Sequence, residues 1–204
     1  MSPRDQMIST AIDLFQRQGY QATSWRKLVE ASGAPWGSAH HYFPGGKEQL
    51  GVEAVEEAGR RGEDVITRCF VESSTAEDAV QKLFALTGEQ FGARDFSVGC
   101  PVAIVTLEMA PHSPAITKAC NVAFETWRKR LIFELGARGY PAARVEEMAI
   151  AIMVNLEGCL VLARALRSRA PFDAGLSTIL SVLKLEELGS SRKRGAAGTT
   201  KIAS

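Results

Sequence analysis

The side chains with the most scope for chemistry lie in one stretch of the chain, Ser24 to Lys47. The stretch contains hydroxyl groups, a tryptophan, a lysine and the adjacent pair His40 and His41. Adjacent helical residues point about 100° apart, whereas a shared metal ion prefers ligands at i and i+4, so the histidines are not a metal pair. Hydroxyls, cations and helix N-termini instead suit phosphate. The candidate phosphate contacts are Thr23, Ser24, Arg26 and Lys47.

Turn and cap residues divide this stretch into two short helices. Ser24 is a good N-cap for a helix to about Ser32, because its hydroxyl can accept from a backbone N–H of the first turn. Gly33 suits the left-handed residue after a helix, and Pro35 fixes the φ that a first helical turn needs. A second helix then runs to about Tyr42. The pattern predicts a helix-turn-helix whose second member can enter a major groove, although an ordinary helical corner has the same spacing.

Five motifs in and before this stretch carry a family resemblance: Ala11-Ile-Asp-Leu-Phe15, Gly19-Tyr-Gln-Ala-Thr-Ser24, Gly33-Ala-Pro-Trp-Gly-Ser38, His41-Tyr-Phe-Pro44 and Lys47-Glu-Gln-Leu50. In these motifs the chain resembles the TetR-type transcriptional repressors. Three further motifs are similar to the LmrA/YxaF-like subgroup: Gly45-Gly46, Gly99-Cys-Pro101 and Glu157-Gly-Cys-Leu-Val-Leu-Ala-Arg164. The resemblance covers residues 5 to 188 and is most specific in the first fifty residues.

The resemblance implies that the second helix reads base edges and that a ring near its C-terminal end contacts phosphate. The residues that it brings to the DNA are Pro35, Trp36, Gly37, Ser38, His40, His41 and Tyr42. Related sequences of the subgroup more often have Arg at the position of Trp36. A tryptophan cannot make the bidentate guanine contact of Arg, but it can pack against a thymine methyl or the sugar. Packing against the neighbouring helix is the alternative for Trp36, and a solvated helix start is the alternative for Arg26 and Lys47.

Composition and charge are those of a soluble globular protein with basic ends. The chain has 204 residues, of which 46% are hydrophobic and 23% charged. Its net charge of +1 is unevenly distributed, since residues 1–47 carry five Lys or Arg against three Asp or Glu. Residues 189–204 carry four against none, and the body between is acidic. This asymmetry is what a phosphate-contacting end needs.

The apolar segments and cysteines predict a cytoplasmic protein that does not enter a membrane. No apolar signal segment is visible near the N-terminus. The longest apolar run, Met148 to Leu166, is interrupted by Asn155, Glu157 and Arg164, which favours a core or interface helix over a span. Four cysteines lie far apart and are expected to be buried, reduced thiols. They are Cys69, Cys100, Cys120 and Cys159.

Apolar periodicity predicts helices throughout, so the expected fold class is all-α. A three-helix helix-turn-helix DNA-binding domain is expected over residues 1–47, and a larger helical ligand-binding and dimerisation domain over residues 48–189. The final helix is expected to end near Leu188. Residues 190–204 are polar and basic, offer little surface to bury and predict a disordered basic tail.

The body contains more aromatic and aliphatic surface than a thin bundle needs. One interpretation is a ligand cavity between helices, and the other is a close-packed core. The resemblance favours the cavity and implies a small-molecule inducer. The candidate lining residues are Phe91, Phe96, Ile104, Leu107, Phe124, Trp127, Leu131, Asn155 and Leu160. The last two helices are apolar around much of their girth, which predicts a four-helix homodimer interface. Its candidate residues are Ile150, Val154, Val161, Ala165, Leu176, Ile179, Leu180, Val182 and Leu183.

The sequence contains no Gly-x-Ser-x-Gly, P-loop, dinucleotide or His-Glu-x-x-His motif, so no enzyme, catalytic residue, cofactor or metal is expected. The expected function is that of a homodimeric repressor that binds a pseudo-palindromic double-stranded operator and is released by a small apolar or amphipathic ligand. The alternative is a helical small-molecule-binding or protein-interaction module without operator binding. Salt-dependent retention on DNA separates the two, because only a DNA reader releases counterions.

Overall fold

The structure, a computed structural model, describes the backbone of residues 2–198 and the side chains through Lys184. The described chain forms nine helices and no strand, which confirms the predicted all-α fold. In chain order they are α1 (Pro3–Gln18), α2 (Trp25–Ser32), α3 (Trp36–Tyr42), α4 (Gly46–Val71), α5 (Ala76–Gly92), α6 (Pro101–Met109), α7 (Pro114–Ala137), α8 (Val145–Leu166) and α9 (Ala170–Gly198).

Local sequence signals explain where the first helices begin and end. The Ser2 hydroxyl accepts from the Asp5 N–H (3.1 Å), and the Asp5 carboxylate accepts from the Ser2 N–H (3.2 Å), so the pair caps α1. Gly19 ends α1 at φ +83°, a conformation that favours glycine. Ser24 caps α2, because its hydroxyl accepts from the Lys27 N–H (3.1 Å).

Helix α9 is longer than the sequence predicted. It was expected to end near Leu188 and to be followed by a disordered tail, but it continues to Gly198. No proline follows Pro171 in the sequence, and Ala, Leu, Lys and Arg, which have favourable helix propensity, recur along the segment. The predicted disordered tail stays a prediction, and its residues 199–204 lie outside the described part of the chain.

The chain forms two compact units that divide α4 between them. Unit 1 consists of the residues up to Asp64 together with Phe91–Trp127, and unit 2 of Val65–Gln90 together with the described residues from Arg128 onward. The buried core of unit 1 joins α1–α3 to the start of α4, to α6 and to the first half of α7. The predicted domain boundary at Lys47 falls inside unit 1, and it stays a prediction about the division of functions.

Two glycines let α7 approach α4 closely within unit 1. A Cβ built on Gly59 would lie 2.8 Å from the Cβ of Ala123, and one built on Gly62 would lie 2.6 Å from the indole of Trp127. Real Cβ atoms do not come this close to other atoms, so only glycine fits at these two positions of α4. The indole N–H of Trp127 also donates to the Gly59 carbonyl oxygen (2.7 Å). This hydrogen bond fixes the ring against the backbone of α4.

Unit 2 combines apolar packing with a charged contact at the end of α4. Helices α8 and α9 meet at Gly175, where a Cβ would lie 2.5 Å from the Cys159 sulfur. At the other contact, the Arg138 guanidinium donates to the Glu134 carboxylate (2.7 Å) and to the Phe70 carbonyl oxygen (2.5 Å). Arg138 thus satisfies one of the carbonyls that a helix leaves free at its C-terminal end.

Helix α8 is long and apolar enough to cross a membrane by length and composition, which alone is a weak indication. It has two different apolar faces. One is buried and contains Met148, Ala149, Ile152, Cys159 and Ala163. The other is exposed and contains Ile150, Val154 and Val161, whereas the exposed Leu162 and Leu166 lie outside this face. On α9, Ile179 and Leu183 are only 2% and 1% exposed, so they belong to the protomer's own core and do not face a second copy as predicted.

We predict that Gly62→Ala lowers the free energy of unfolding. A helix glycine changed to alanine normally gains about 1 kcal/mol from helix propensity. At Gly62 the added methyl group collides with a ring held by a hydrogen bond, and such overpacking costs about 1–3 kcal/mol. Chemical denaturation followed by circular dichroism measures the net change.

The matched control for this prediction is Gly136→Ala in α7, where a new Cβ meets nothing within 4 Å. That variant should be as stable as the wild type or slightly more stable. Replacing the indole with the smaller phenyl ring, by Trp127→Phe in the Gly62→Ala background, should recover part of the lost free energy of unfolding. A Gly62→Ala protein that is at least as stable as the wild type contradicts the proposed close contact.

Candidate nucleic-acid interface

The turn between α2 and α3 has the geometry of a helix-turn-helix. Gly33 ends α2 in the left-handed conformation, with φ +68°. Pro35 is the N-cap of α3 (φ −59°, ψ 139°), so this helix begins at Trp36, one residue later than the sequence predicted. The buried residues of the two helices and the residue after them form the base of the motif: Leu28, Val29, Ala39 and Phe43. Because these residues face inward, the opposite side of α3 is left for a partner.

The outward side of α3 presents aromatic and polar groups. Trp36 is 48% exposed, so about half of its surface is open to a partner. Gly37, His40 and His41 are also exposed. Ser38 and Tyr42 are half-buried. Helix α3 therefore offers an indole, two imidazoles and hydroxyl groups within seven residues.

Neighbouring rings hold the two imidazoles of α3. The ring centroid of His40 lies 5.4 Å from that of Trp25 on α2, with an interplanar angle of 49°. The ring centroid of His41 lies 5.7 Å from that of Tyr42, in an edge-to-face arrangement. Ring pairs at such separations attract each other, so both imidazoles are oriented before any partner arrives.

Thr23 serves the fold with its side chain. The residue is fully buried. Its hydroxyl donates to the Gly19 carbonyl oxygen (2.7 Å) and accepts from the side-chain amide of Gln18 (2.8 Å). These bonds close the turn between α1 and α2. The burial argues against the predicted phosphate contact by the Thr23 side chain, whereas the side chain of Ser24 is exposed at the N-terminus of α2.

The two candidate phosphate-binding cations have different surroundings. Arg26 pairs with Glu30 (2.7 Å) on the open surface, and this hydrogen bond raises the pKa of Arg26. An exposed pair is weak, so the guanidinium can exchange Glu30 for a phosphate. The ammonium of Lys47 instead lies 4.0 Å from the centroid of the Tyr20 ring. Burial lowers the pKa of Lys47, and the nearby charge of Glu108 opposes that shift.

Comparison with known proteins matches both parts of the chain to one family. The model of bacterial regulatory proteins of the tetR family matches residues 7–54, and that of the LmrA/YxaF-like transcriptional regulator C-terminal domain matches residues 76–175. The HTH-type transcriptional regulator YxaF of Bacillus subtilis is 33% identical over 82% of this chain and 88% of its own length. The chain belongs to the TetR family. Its second domain assigns it to the LmrA/YxaF-like subgroup.

Two further comparisons agree with this assignment. The HTH-type transcriptional regulator LmrA of Bacillus subtilis is 30% identical over 89% of this chain and 96% of its own length. The crystal structure of a TetR transcriptional regulator from Legionella pneumophila covers 89% of this chain and 97% of its own, with a TM-score of 0.80 and 22% identity. This likeness shows the shared fold. The protein is therefore a DNA-binding transcriptional regulator of the TetR type, as its sequence motifs predicted.

Four of the residues predicted to line a ligand cavity form two ring pairs in unit 1 of the regulator. The centroids of Phe91 and Phe96 lie 6.0 Å apart, and those of Phe124 and Trp127 lie 5.4 Å apart, both in edge-to-face arrangements. Phe96 has φ +52°, a left-handed conformation that is strained for a residue other than glycine. Aromatic packing of this kind holds the segment after α5 in place.

The other five candidate ligand residues are less uniform. Leu107 is 80% exposed and Ile104 half-buried, both in unit 1. Leu131 is 1% exposed and belongs to the core of unit 2. The Asn155 amide donates to the carbonyl four residues earlier in α8 (2.9 Å), and Leu160 is half-buried. Leu107 and Leu131 thus lie at opposite extremes of exposure, and the cavity itself stays a prediction.

Sequence reasoning missed a residue that contacts the DNA-binding part of unit 1. The carboxylate of Glu108 on α6 accepts from the backbone N–H of Gln21 in the turn between α1 and α2 (2.8 Å). Helical periodicity and caps describe contacts a few residues apart. Glu108 and Gln21 are 87 residues apart, so neither signal could have paired them.

We predict that Thr23→Val destabilises the protein without removing a DNA phosphate contact. Valine has nearly the same shape but cannot donate to Gly19 or accept from Gln18, and the loss of such buried bonds costs about 1–3 kcal/mol. Thermal unfolding should show this loss. The slope of log affinity for DNA against log salt should stay that of the wild type, because the hydroxyl is buried.

The control is Thr126→Val in α7, where the hydroxyl bonds only to the carbonyl of Val122 in its own helix. Its stability should change by less than about 0.5 kcal/mol. A Thr23→Val protein with unchanged stability and a shallower salt slope supports the original assignment of Thr23 to phosphate.

Proposed function

We propose that this TetR-family regulator is a homodimeric repressor that binds a pseudo-palindromic operator and is released by a small apolar or amphipathic ligand. The observation that carries the DNA contact is the exposed outer face of α3, which the half-buried Lys47 follows five residues later in the chain. A short helix with an open face fits the major groove, and cations at its margin fix its register on the backbone. In this assignment Trp36, Gly37, Ser38 and His40 face base edges.

Phosphate contacts come from the groups around that face. We assign them to Ser24 and Arg26 at the start of α2, to His41 and Tyr42 at the end of α3, and to Lys47. Pro35 sets the start of α3 and meets the sugar–phosphate backbone. Each of these contacts is independent of base identity, so they supply affinity and orientation, while the centre of α3 supplies the sequence preference.

The dimer is proposed to form through the exposed apolar face of α8. Val154, Val161 and Leu166 are each at least 64% exposed, although apolar side chains of this size are usually buried. The spacing of seven residues keeps Val154 and Val161 on one side of the helix. Gly158, between them, has nothing within 4 Å of a built Cβ and allows a second helix to come close. This use also explains why α8 is apolar enough to resemble a membrane span.

A ligand is proposed to act through the contact between α7 and α4. The Trp127 ring lies on Gly62, its N–H donates to Gly59, and its edge-to-face partner is Phe124. A ligand that displaced this ring would have to break the hydrogen bond and free the close packing on α4. Since α4 begins one residue before Lys47, such a displacement connects ligand binding with the DNA contact. A differential affinity of about 2.7 kcal/mol would weaken operator binding about a hundredfold.

We also propose that the regulator acts by binding and not by catalysis. Burial raises the pKa of the thiols of Cys69, Cys120 and Cys159, which keeps them protonated and poor nucleophiles. The half-buried Cys100 caps α6, where its sulfur accepts from the Ala103 N–H (3.4 Å). A cytoplasmic location follows from the proposed role, because chromosomal operators lie in that compartment.

Two substitutions should separate sequence-blind contacts from base reading. Lys47→Ala should weaken binding to every duplex alike and lower the salt slope by about one unit, because a phosphate contact carries no sequence information. Trp36→Ala should instead change which sequence is preferred. Fluorescence anisotropy with duplexes selected from a random library, repeated at several salt concentrations, measures both effects.

Circular dichroism controls for unfolding of the helix-turn-helix in both variants. Footprinting of the wild type on the selected duplex should protect two half-sites about one helical turn apart. Wild-type protein without salt-dependent DNA affinity would contradict the proposed function and favour a module that binds only small molecules or proteins. A Trp36→Ala protein with the same sequence preference as the wild type removes Trp36 from the base-reading set.

Val161→Glu should convert the dimer into monomers. A carboxylate on the exposed apolar face of α8 would be buried against the second copy without a partner, and such burial costs several kcal/mol. Sedimentation equilibrium should give twice the 22.1 kDa chain mass for the wild type and a single chain mass for the variant. The matched control is Val122→Glu on α7, where the native side chain is 51% exposed. Equal dissociation of both variants, or of neither, contradicts the α8 interface.

A further inference from the structure

A carboxylate from α6 fills the space beside a glycine in the turn between α1 and α2. A Cβ built on Gly19 would lie only 2.0 Å from a carboxylate oxygen of Glu108. The other carboxylate oxygen accepts from the Gln21 N–H (2.8 Å), and the Gln21 side-chain amide donates to the Glu108 backbone carbonyl (3.1 Å). Glu108 therefore makes two hydrogen bonds to the turn, both with Gln21, and fills the space beside Gly19; all of these residues belong to unit 1.

Tyr20, which lies between Gly19 and Gln21 in the chain, contacts the Lys47 ammonium with its ring. Tyr20 is 7% exposed, and its ring lies against α4 at Gly51, where a built Cβ would be 2.7 Å from the ring. The Lys47 nitrogen lies 4.0 Å from the centroid of this ring, within the range of a cation–π contact. Lys47 is thus ordered on the ring of Tyr20, whose chain neighbour Gln21 is hydrogen-bonded to Glu108.

The charge of Glu108 also acts on Lys47. Burial lowers the pKa of the ammonium, and the attraction of Glu108 raises it. The carboxylate consequently stabilises the charged form of a lysine that is partly removed from water.

A second bond ties the same turn of α4 to the segment after α6. The hydroxyl of Ser113 donates to the Glu48 carboxylate (2.5 Å), and the residue is 3% exposed. The Ser113 oxygen also accepts from the Ile116 N–H (3.2 Å) at the start of α7. Glu108 thus acts on Lys47 through its charge, and Ser113 acts on Glu48 through a hydrogen bond.

We propose that Glu108 is a positioning residue for DNA binding that also serves as an internal counter-anion of Lys47, in competition with a DNA phosphate. The inference rests on the proposed phosphate contact of Lys47. The hydrogen bond from Gln21 to Glu108 sets the turn and favours binding. The negative charge of Glu108 attracts the ammonium and opposes binding, since the phosphate must attract Lys47 against it. The two roles of one carboxylate can be separated by substitution.

Glu108→Gln keeps an oxygen that accepts from Gln21 and removes the charge. This variant should bind the duplex selected with wild-type protein about three- to fivefold more tightly at low salt, and the gain should shrink as salt is raised. In a Lys47→Met background the same substitution should change the affinity by less than about twofold, because Glu108 and the phosphate no longer compete for an ammonium. Fluorescence anisotropy of the four proteins completes the cycle.

Two other variants test the hydrogen bond and the bulk charge. Glu108→Asp keeps the charge but is one methylene too short to reach Gln21, and it should bind less tightly than the wild type. Glu56→Gln removes a charge from an exposed position on α4, so it measures the effect of net charge alone. Thermal melts followed by circular dichroism show whether each variant is folded. If Glu108→Gln does not fold, Glu108→Ala replaces it in both Lys47 backgrounds, and the difference between the two affinity changes measures the competition for the ammonium.

The outcomes distinguish this inference from the proposed function. Equal gains from Glu108→Gln in both backgrounds, a gain matched by Glu56→Gln, or a loss of affinity in Glu108→Gln would each overturn the role of Glu108 while leaving DNA binding intact. A Glu108→Asp protein that binds as tightly as the wild type would remove the positioning role. Wild-type protein that bound no selected duplex in a salt-dependent way would overturn both this inference and the proposed function.

Discussion

Close packing against the bare backbone of α4 is the constraint on which the rest of unit 1 depends. Gly51, Gly59 and Gly62 are separated by eight and three residues, which keeps them on one side of a helix with 3.6 residues per turn. Side chains from other parts of unit 1 lie where the Cβ atoms of these glycines would be. They belong to Tyr20, Ala123 and Trp127. Each glycine weakens an isolated helix by about 1 kcal/mol relative to alanine, so α4 depends on these neighbours for its stability.

The buried core beneath the DNA-binding motif extends beyond its three helices. The buried cluster that includes Phe15, Leu28 and Phe43 continues into Val105 on α6 and Ile116 on α7. A displacement of α6 or α7 therefore disturbs the surface on which α3 rests. No additional element is needed to connect α6 and α7 with the helix-turn-helix, because both helices already form part of the core beneath it.

Local signals predicted most of the helices, while long-range contacts were beyond sequence reasoning. Ser24 and Gly33 act through the backbone of their own neighbourhood, so their cap roles could be deduced from residue type. Thr23 has the right chemistry for phosphate, but only the fold shows that its hydroxyl is consumed by Gly19 and Gln18. Trp127 was expected among cavity residues because it is large and apolar, yet its N–H donates to a backbone carbonyl of another helix. Periodicity gives the face of a helix, but it cannot give the partner of that face.

The surroundings of Lys47 also affect how strongly a phosphate can be bound. A lysine side chain ordered from solvent loses up to about 2 kcal/mol of conformational entropy. Lys47 is already ordered on the Tyr20 ring in the free protein, so much of this loss precedes DNA binding. Arg26 sits in an exposed pair with Glu30 and must give up that partner before it meets a phosphate. Lys47 is therefore better preorganised than Arg26 for a fixed phosphate contact. The charge of Glu108 limits how much this preorganisation increases the affinity for DNA.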